Sequence, residues 1–322
     1  MKLDLTLFDA NPNTTADAGL SAEMRTYYSD YLIDNAKPNL VHDQFGQKHP
    51  IPKNGGKTIQ FRKFMPFSKA TEPLSEGITP DGGSLSVTRV DATVEQYGYY
   101  VTISDMLMLT AIDNTLVETT KLLGAQAGST LDTITREVLN GGTSVMYSGG
   151  KEAREDLDAS CKLTVDDIFK AARFLKTQNA PKINGSYVAI IHPDVAYDLM
   201  RDEEWIDVHK YSSASEIFEG EIGKLGGVRF VESTEAKIFG AEGADARDVY
   251  STIVLGANAY GVTELAGGGL THIVKQLGSG GTSDPLNQRA TAGWKGTKTA
   301  ERLVENYMVR IESASSFESG SN

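Results

Sequence analysis

Residues 104–142 read SDMLMLTAIDNTLVETTKLLGAQAGSTLDTITREVLNGG. Leu109, Ile112, Leu116, Leu123, Ala127, Leu131, Ile134 and Val138 fall on one stripe at helical spacing, the strongest helical signal in the chain. Ser104 and Asp105 supply the start, and Asn140, Gly141 and Gly142 the stop, since glycine readily takes the left-handed conformation that closes a helix. At 1.5 Å per residue the stripe predicts a rod of roughly 50 Å. Gly124 and Gly128 inside it call for a bend or a close neighbouring backbone.

Upstream the period changes to two. Ile59 and Phe61, then Leu85 and Val87, then Tyr97, Tyr99, Val101 and Ile103 alternate as strand residues do. Residues 66–84, with Pro73, Gly77, Pro80, Gly82 and Gly83, are too polar to fold on themselves. The reading is a hairpin of about 50 residues with a broad polar tip, and so weakly apolar a ribbon cannot stand alone in water. Something outside the subunit should cover it, so Phe61, Phe64 and Phe67 are expected to include residues buried mainly by a neighbour. Further upstream, residues 11–19 read as an arm. Leu20, Met24, Tyr27, Tyr28, Tyr31 and Leu32 then form a short helix that stops before Lys37 and Pro38.

Downstream, a polar link over residues 143–160 leads to an α/β unit at 163–265. Thr164 and Asp167 make a capping-box start for a helix that buries Val165, Ile168, Ala172 and Leu175. Residues 187–191 form an apolar strand, and His192, Pro193 and Asp194 open the next helix. Residues 228–231 and 252–255 are two more strands. Strand-like alternation returns at 270–277 and 305–311, and the Ser/Glu/Gly tail 313–322 is expected to be loose.

With 40% hydrophobic and 23% charged residues, the 322-residue chain is ordinary for a folded soluble protein. No stretch reaches the roughly 18 apolar residues of a bilayer span, and Met1-Lys2-Leu3-Asp4-Leu5 lacks a basic n-region, so neither membrane nor secretion is expected. Cys161 stands alone and can form no internal disulfide, which fits a chain folded in a cytosol. A net charge of −12 with scattered Lys and Arg argues against a dedicated nucleic-acid binder. It keeps a protein soluble, and it also suits a container whose walls should not grip packed DNA.

Chemistry-bearing motifs are missing. Gly55-Gly56-Lys57-Thr58 ends like a phosphate-binding loop, but the leading glycine would fall on Ile51. The glycines at 267–269 and 278–281 miss the dinucleotide spacing, which lands on His272 and Ser283. No two of the five histidines stand at i,i+4, Cys161 has no ligand partner nearby, and there is no Gly-x-Ser-x-Gly elbow. His192 beside Asp194 reads as a helix entry in preference to a catalytic pair. No catalytic, cofactor-binding or metal-binding residue is expected.

The C-terminal third carries a resemblance. Asp284-Pro285-Leu286-Asn287-Gln288-Arg289, Thr291-Ala292-Gly293-Trp294-Lys295 and Glu305-Asn306-Tyr307-Met308-Val309-Arg310-Ile311-Glu312 resemble the closing segment of the tailed-phage major capsid family named after the N-four coliphage. His192-Pro193-Asp194 and residues 222–232 are similar to further segments of it. The resemblance implies an α+β protein of the Hong Kong 97-like (Johnson) capsid fold. Its parts would be an N-terminal arm with short helix (1–50), an extended β-hairpin loop (51–104), a peripheral domain with a spine helix (105–162), an axial α/β domain (163–265), and a return to the peripheral domain with a tail (266–322). It also implies a homo-oligomer of hexamers and pentamers enclosing double-stranded DNA in a virion, assembled in the host bacterial cytoplasm with portal and scaffolding or decoration proteins. The alternative on the same fold is an encapsulin-like shell around protein cargo. Asp284, Gln288, Arg289 and Trp294 are expected subunit contacts. Trp294, between glycines, either fills the subunit core or anchors such a contact.

Overall fold

The computed structural model describes residues 40–322 apart from 53, 65–66, 68, 70, 72, 74–81, 111–114, 210–222, 264–268 and 282–283. The expected arm and the helix near 20–32 lie outside the described residues. In chain order the strands are β1 (Gln47–Lys48), β2 (Thr58–Phe64), β3 (Val87–Thr93), β4 (Glu95–Ser104), β5 (Val145–Tyr147), β6 (Tyr187–Ile191) and β7 (Lys224–Leu225). Then follow β8 (Val228–Glu232), β9 (Ile238–Phe239), β10 (Val249–Leu255), β11 (Tyr260–Thr263), β12 (Thr271–Lys275), β13 (Arg289–Arg302) and β14 (Met308–Ser313). The chain divides into two compact units. The smaller includes 96–129 and 268–296, the larger 40–95, 130–267 and 297–322.

The larger unit is built on a sheet of order β5-β14-β10-β6-β8-β7, with β9 also paired to β10. β6 (YVAII) and β10 (VYSTIVL) have every residue buried, which marks central strands covered on both faces. Their alternation sorts two clusters. Ala189, Ile191 and Val254 point into one with helix Val165–Thr177, while Ile190, Ile253 and Leu255 meet Leu139 of the long helix in the other. Thr164 caps the first helix through the expected box with Asp167. His192 caps helix Pro193–Met200, its ring accepting from the Asp194 N–H at 3.2 Å.

Three expectations are corrected here. The segment near 306–311 was grouped with the spine helix in a peripheral domain. Instead β14 pairs antiparallel with β10, Val309 opposite Val254, and Val309 and Ile311 are buried in the cluster of helix Val165–Thr177. Alternation had shown a strand, but a strand's partner is not written in its own period. The hairpin is also shorter than 55–104. Only β2 and β3 pair in it, from Thr58↔Thr93 to Phe64↔Val87, closed at the base by the Val94 N–H to Lys57 O at 2.9 Å. β4 joins β13 instead, because Gly98 and Gly293 let the two backbones approach. A Cβ on Gly98 would come within 2.7 Å of Trp294 O. Finally, the tail is not loose: Ser315, Ser316, Ser319, Gly320 and Asn322 all hydrogen-bond to the larger unit.

In the smaller unit β12 and β4 flank the first half of β13. Its core joins Ile103, Ala292 and Trp294 to Leu116, Leu123 and Ala127. The helical stripe is confirmed in part: its described helical residues are Asp105–Thr110, with no buried residue, and Thr115–Asn140, 26 residues or about 39 Å. Leu109, expected on the buried stripe, is 79% exposed.

Candidate assembly surfaces

The hairpin springs from a locked base. His42 and Asp132 are both fully buried; the His42 ring Nδ1 lies 2.6 Å from Asp132 Oδ2 and its N–H donates to Oδ1 at 2.7 Å. Next to it Asp43 accepts from Thr135 Oγ1 at 2.5 Å and pairs with Lys298, which also donates to Leu131 O at 2.8 Å. The Tyr260 hydroxyl donates to His42 O, and burial pushes that phenol far above its ordinary range. Breaking any of these would strand a charge or donor away from water, so the base is rigid.

Along the hairpin this order fades. Phe61 is 9% exposed, its ring edge-on to His49 at 5.7 Å and so close to Gly261 that a Cβ there would lie 2.8 Å away. Its own subunit therefore buries it, contrary to expectation, because the ribbon is in contact with the larger unit at that level. The Phe64 side chain lies outside the described residues. Phe67 is 65% exposed and Leu85 60%, and of the seven residues of β3 only Ala92 is buried. Among the described residues β2 and β3 pair only with each other. Its outer apolar side chains are left uncovered by the described residues.

The C-terminal candidates come together in part. Asp284, Arg289 and Trp294 line one open cavity of about 700 Å³ in the smaller unit, with Tyr99, Tyr100 and Lys275. Trp294 is 3% exposed, packs among Leu116, Leu123 and Ala127, and donates from Nε1 to Gln126 Oε1 at 2.6 Å. The core reading holds for it; an indole already enclosed has little left to offer a neighbour. Asp284 is buried and accepts the Arg289 N–H at 2.8 Å, a turn-forming role. The Arg289 side chain is exposed, and Gln288, exposed too, contributes its carbonyl to the Asp105 N–H at 3.0 Å. What the sequence reading missed is the run Met106, Leu107, Met108 and Leu109, all exposed, along with Leu122 and Leu286. Four consecutive apolar residues without period were the available signal, and the longer helical stripe absorbed them.

Internal charges are structural. Arg154 forks onto buried Glu312, both bonds 2.7 Å, and Arg310 Nε lies 2.7 Å from the same carboxylate. The Glu312 bonds hold the Arg154 guanidinium above its ordinary value, whereas burial pulls Arg310 down. Among the described residues no cluster of acids, His or Cys could hold a metal, and no helix is long and apolar enough to cross a membrane.

Two solved structures with this architecture are phage capsids. The capsid of cyanophage P-SCSP1u matches with a TM-score of 0.67 at 16% identity, over 86% of this chain and 89% of that one. The capsid of Ralstonia phage GP4 matches at 0.68 and 14% identity, over 88% and 90%. A virus-like particle from Pyrococcus furiosus is less similar, at 0.53 and 13% identity over 90% and 99%. The fold is thus the Hong Kong 97-type capsid fold, that of shell-building subunits. Residues 88–300 match the family described as phage capsid protein, and the chain belongs to that family. None of the curated proteins matches the chain. The protein is a major capsid structural subunit that assembles with its own kind and resides in the virion; a cargo compartment is the less supported reading.

Proposed function

We propose that this subunit closes into an icosahedral phage head of hexamers and pentamers around double-stranded DNA, and that it catalyses no reaction. The hairpin β2–β3 carries the reading: its outer residues Phe67, Leu85 and Val87 are exposed, and among the described residues its strands pair only with each other. Lying across a neighbouring subunit would bury them, and a head-to-tail contact of that kind repeats around rings. The hairpin therefore serves as the extended intersubunit loop and helix Thr115–Asn140 as the spine. The axial part comprises the larger unit's main sheet, β14 included. Arg289, Gln288 and the Met106–Leu109 run are further contact candidates. A charge of −12 keeps free subunits dispersed and leaves the genome ungripped. Assembly takes place in the host bacterial cytoplasm, with portal and scaffolding or decoration proteins as partners. Negative-stain imaging of the expressed chain tests this. Closed particles of uniform size are expected, and a dispersed monomer at high concentration would contradict it. Particles filled with protein in place of DNA, when made during infection, would contradict the DNA-container reading alone.

A further inference from the structure

Residues 316–322 run exposed over the larger unit after β14. Apolar burial does not hold them, since the Phe317 ring, edge-on to Tyr197 at 5.3 Å, is itself exposed. Carboxylates do. Ser315 Oγ and the Ser316 N–H donate to Asp198 Oδ2 at 2.8 and 2.7 Å, and Ser316 Oγ donates to Oδ1 at 2.6 Å. Ser319 Oγ donates to Asp194 Oδ2 at 2.6 Å, an oxygen that also takes the Tyr250 hydroxyl at 2.9 Å. The Gly320 N–H donates to Asp248 Oδ2 at 2.7 Å, and Asn322 Nδ2 to Ala236 O at 2.8 Å. One extended segment is thereby tied to helix Pro193–Met200, to the entry of β10 and to the entry of β9.

We propose that residues 316–322 form an acid-released strap, clasped at Asp198 with Asp194 and Asp248 as further acceptors, and freed as Asp198 and the nearby His192 take up protons. An ionised carboxylate only accepts; protonation of Asp198 turns one of its oxygens into a donor facing the Ser316 N–H or the Lys162 ammonium, neither of which can accept, so a bond is lost there. The charged and titratable groups facing the clasps are few. Lys162 lies 3.4 Å from Asp198 Oδ1, His192 Nδ1 lies 3.4 Å from Asp194 Oδ2, Tyr250 shares Asp194, and Arg247 pairs with Glu318 at 3.2 Å. Burial would raise the Asp198 carboxyl, but the Ser316 and Ser315 bonds and the Lys162 charge outweigh it, holding the group below its ordinary value. Its contribution is complete above about pH 4 and disappears as pH falls through the lowered folded value. Burial likewise pushes the His192 imidazole down against the pull of Asp194. Its contribution, present above about pH 6.5, also falls with acid, because the protonated ring loses the Asp194 N–H and places a cation at a helix N-terminus. Burial pushes the Tyr250 phenol up to about 12, so it remains a donor throughout.

A nitroxide on Glu318→Cys in the full chain reads the strap directly; Cys161 is buried and does not compete for label. The expected spectrum is immobilised at pH 7.5 and mobile at about pH 2.5, below the lowered Asp198 value, with the emission of buried Trp205 and Trp294 unchanged. Asp198→Asn should be mobile already at pH 7.5, and Ser316→Ala, at an exposed position, gives a milder version should that variant fail to fold. An immobilised label at about pH 2.5 would overturn the proposal. So would a mobile one at pH 7.5, mobility that changes only together with tryptophan emission, or clasp variants that keep the parent pH response.

Discussion

Strands β10 and β3 are each seven residues long and each contains four β-branched residues, yet every residue of β10 is buried and only one of β3 is. Their β-branched content does not separate them, although β3 carries Arg89 and Asp91 where β10 has no charge. β10 lies between β6 and β14, with helices over the sheet, while among the described residues β3 pairs with β2 alone. Strand propensity describes a fit to a half-buried surface, and which surface supplies the burial is a separate question. In the larger unit the chain answers it internally. In the hairpin the described residues leave the outer side chains exposed.

The same substitution should therefore give opposite results in the two strands. Val254→Asp places an unpaired charge at the centre of the sheet and should destabilise the subunit by about 4–5 kcal/mol or more, yielding insoluble protein. Val87→Asp should leave thermal melting within about 0.5 kcal/mol of the parent while lowering particle yield. Equal melting losses would erase the distinction. Trp294→Ala tests the smaller unit's core: a loss of about 3–5 kcal/mol is expected in denaturant unfolding, and near-normal melting with failed shells would restore the contact reading. Within the hairpin itself, Phe61→Ala at the buried base should lower stability by about 3 kcal/mol. Phe67→Ala further out should change melting by less than about 0.5 kcal/mol and act on assembly. A gradient along one ribbon is the finer form of the same contrast.

Local chemistry was legible in the sequence. The capping box at Thr164, the His192 helix entry, the 115–140 helix and the strands at 187–191 and 252–255 all follow from spacing and residue type. Pairings between distant segments were not. The place of β14 beside β10 is not written in the period of either strand, and β4 leaving the hairpin for β13 depends on close approaches at Gly98 and Gly293 that look like any other glycines in the sequence. The tail failed for a different reason. A Ser/Glu/Gly composition signals disorder when nothing accepts its hydrogen bonds, and the acceptors here, Asp194, Asp198 and Asp248, are far away in sequence. Of the contact candidates, Phe67 and Arg289 remain exposed, whereas Phe61, Asp284 and Trp294 turned out to serve the subunit itself.

Removing the outer hairpin tests the central claim most directly. A chain lacking residues 65–84, with a short linker joining the strand ends, should remain soluble, keep the parent's far-ultraviolet spectrum and melt near the parent temperature. Imaged beside the parent, it should form no closed shells. Normal particles from that chain, in normal yield, would contradict the account.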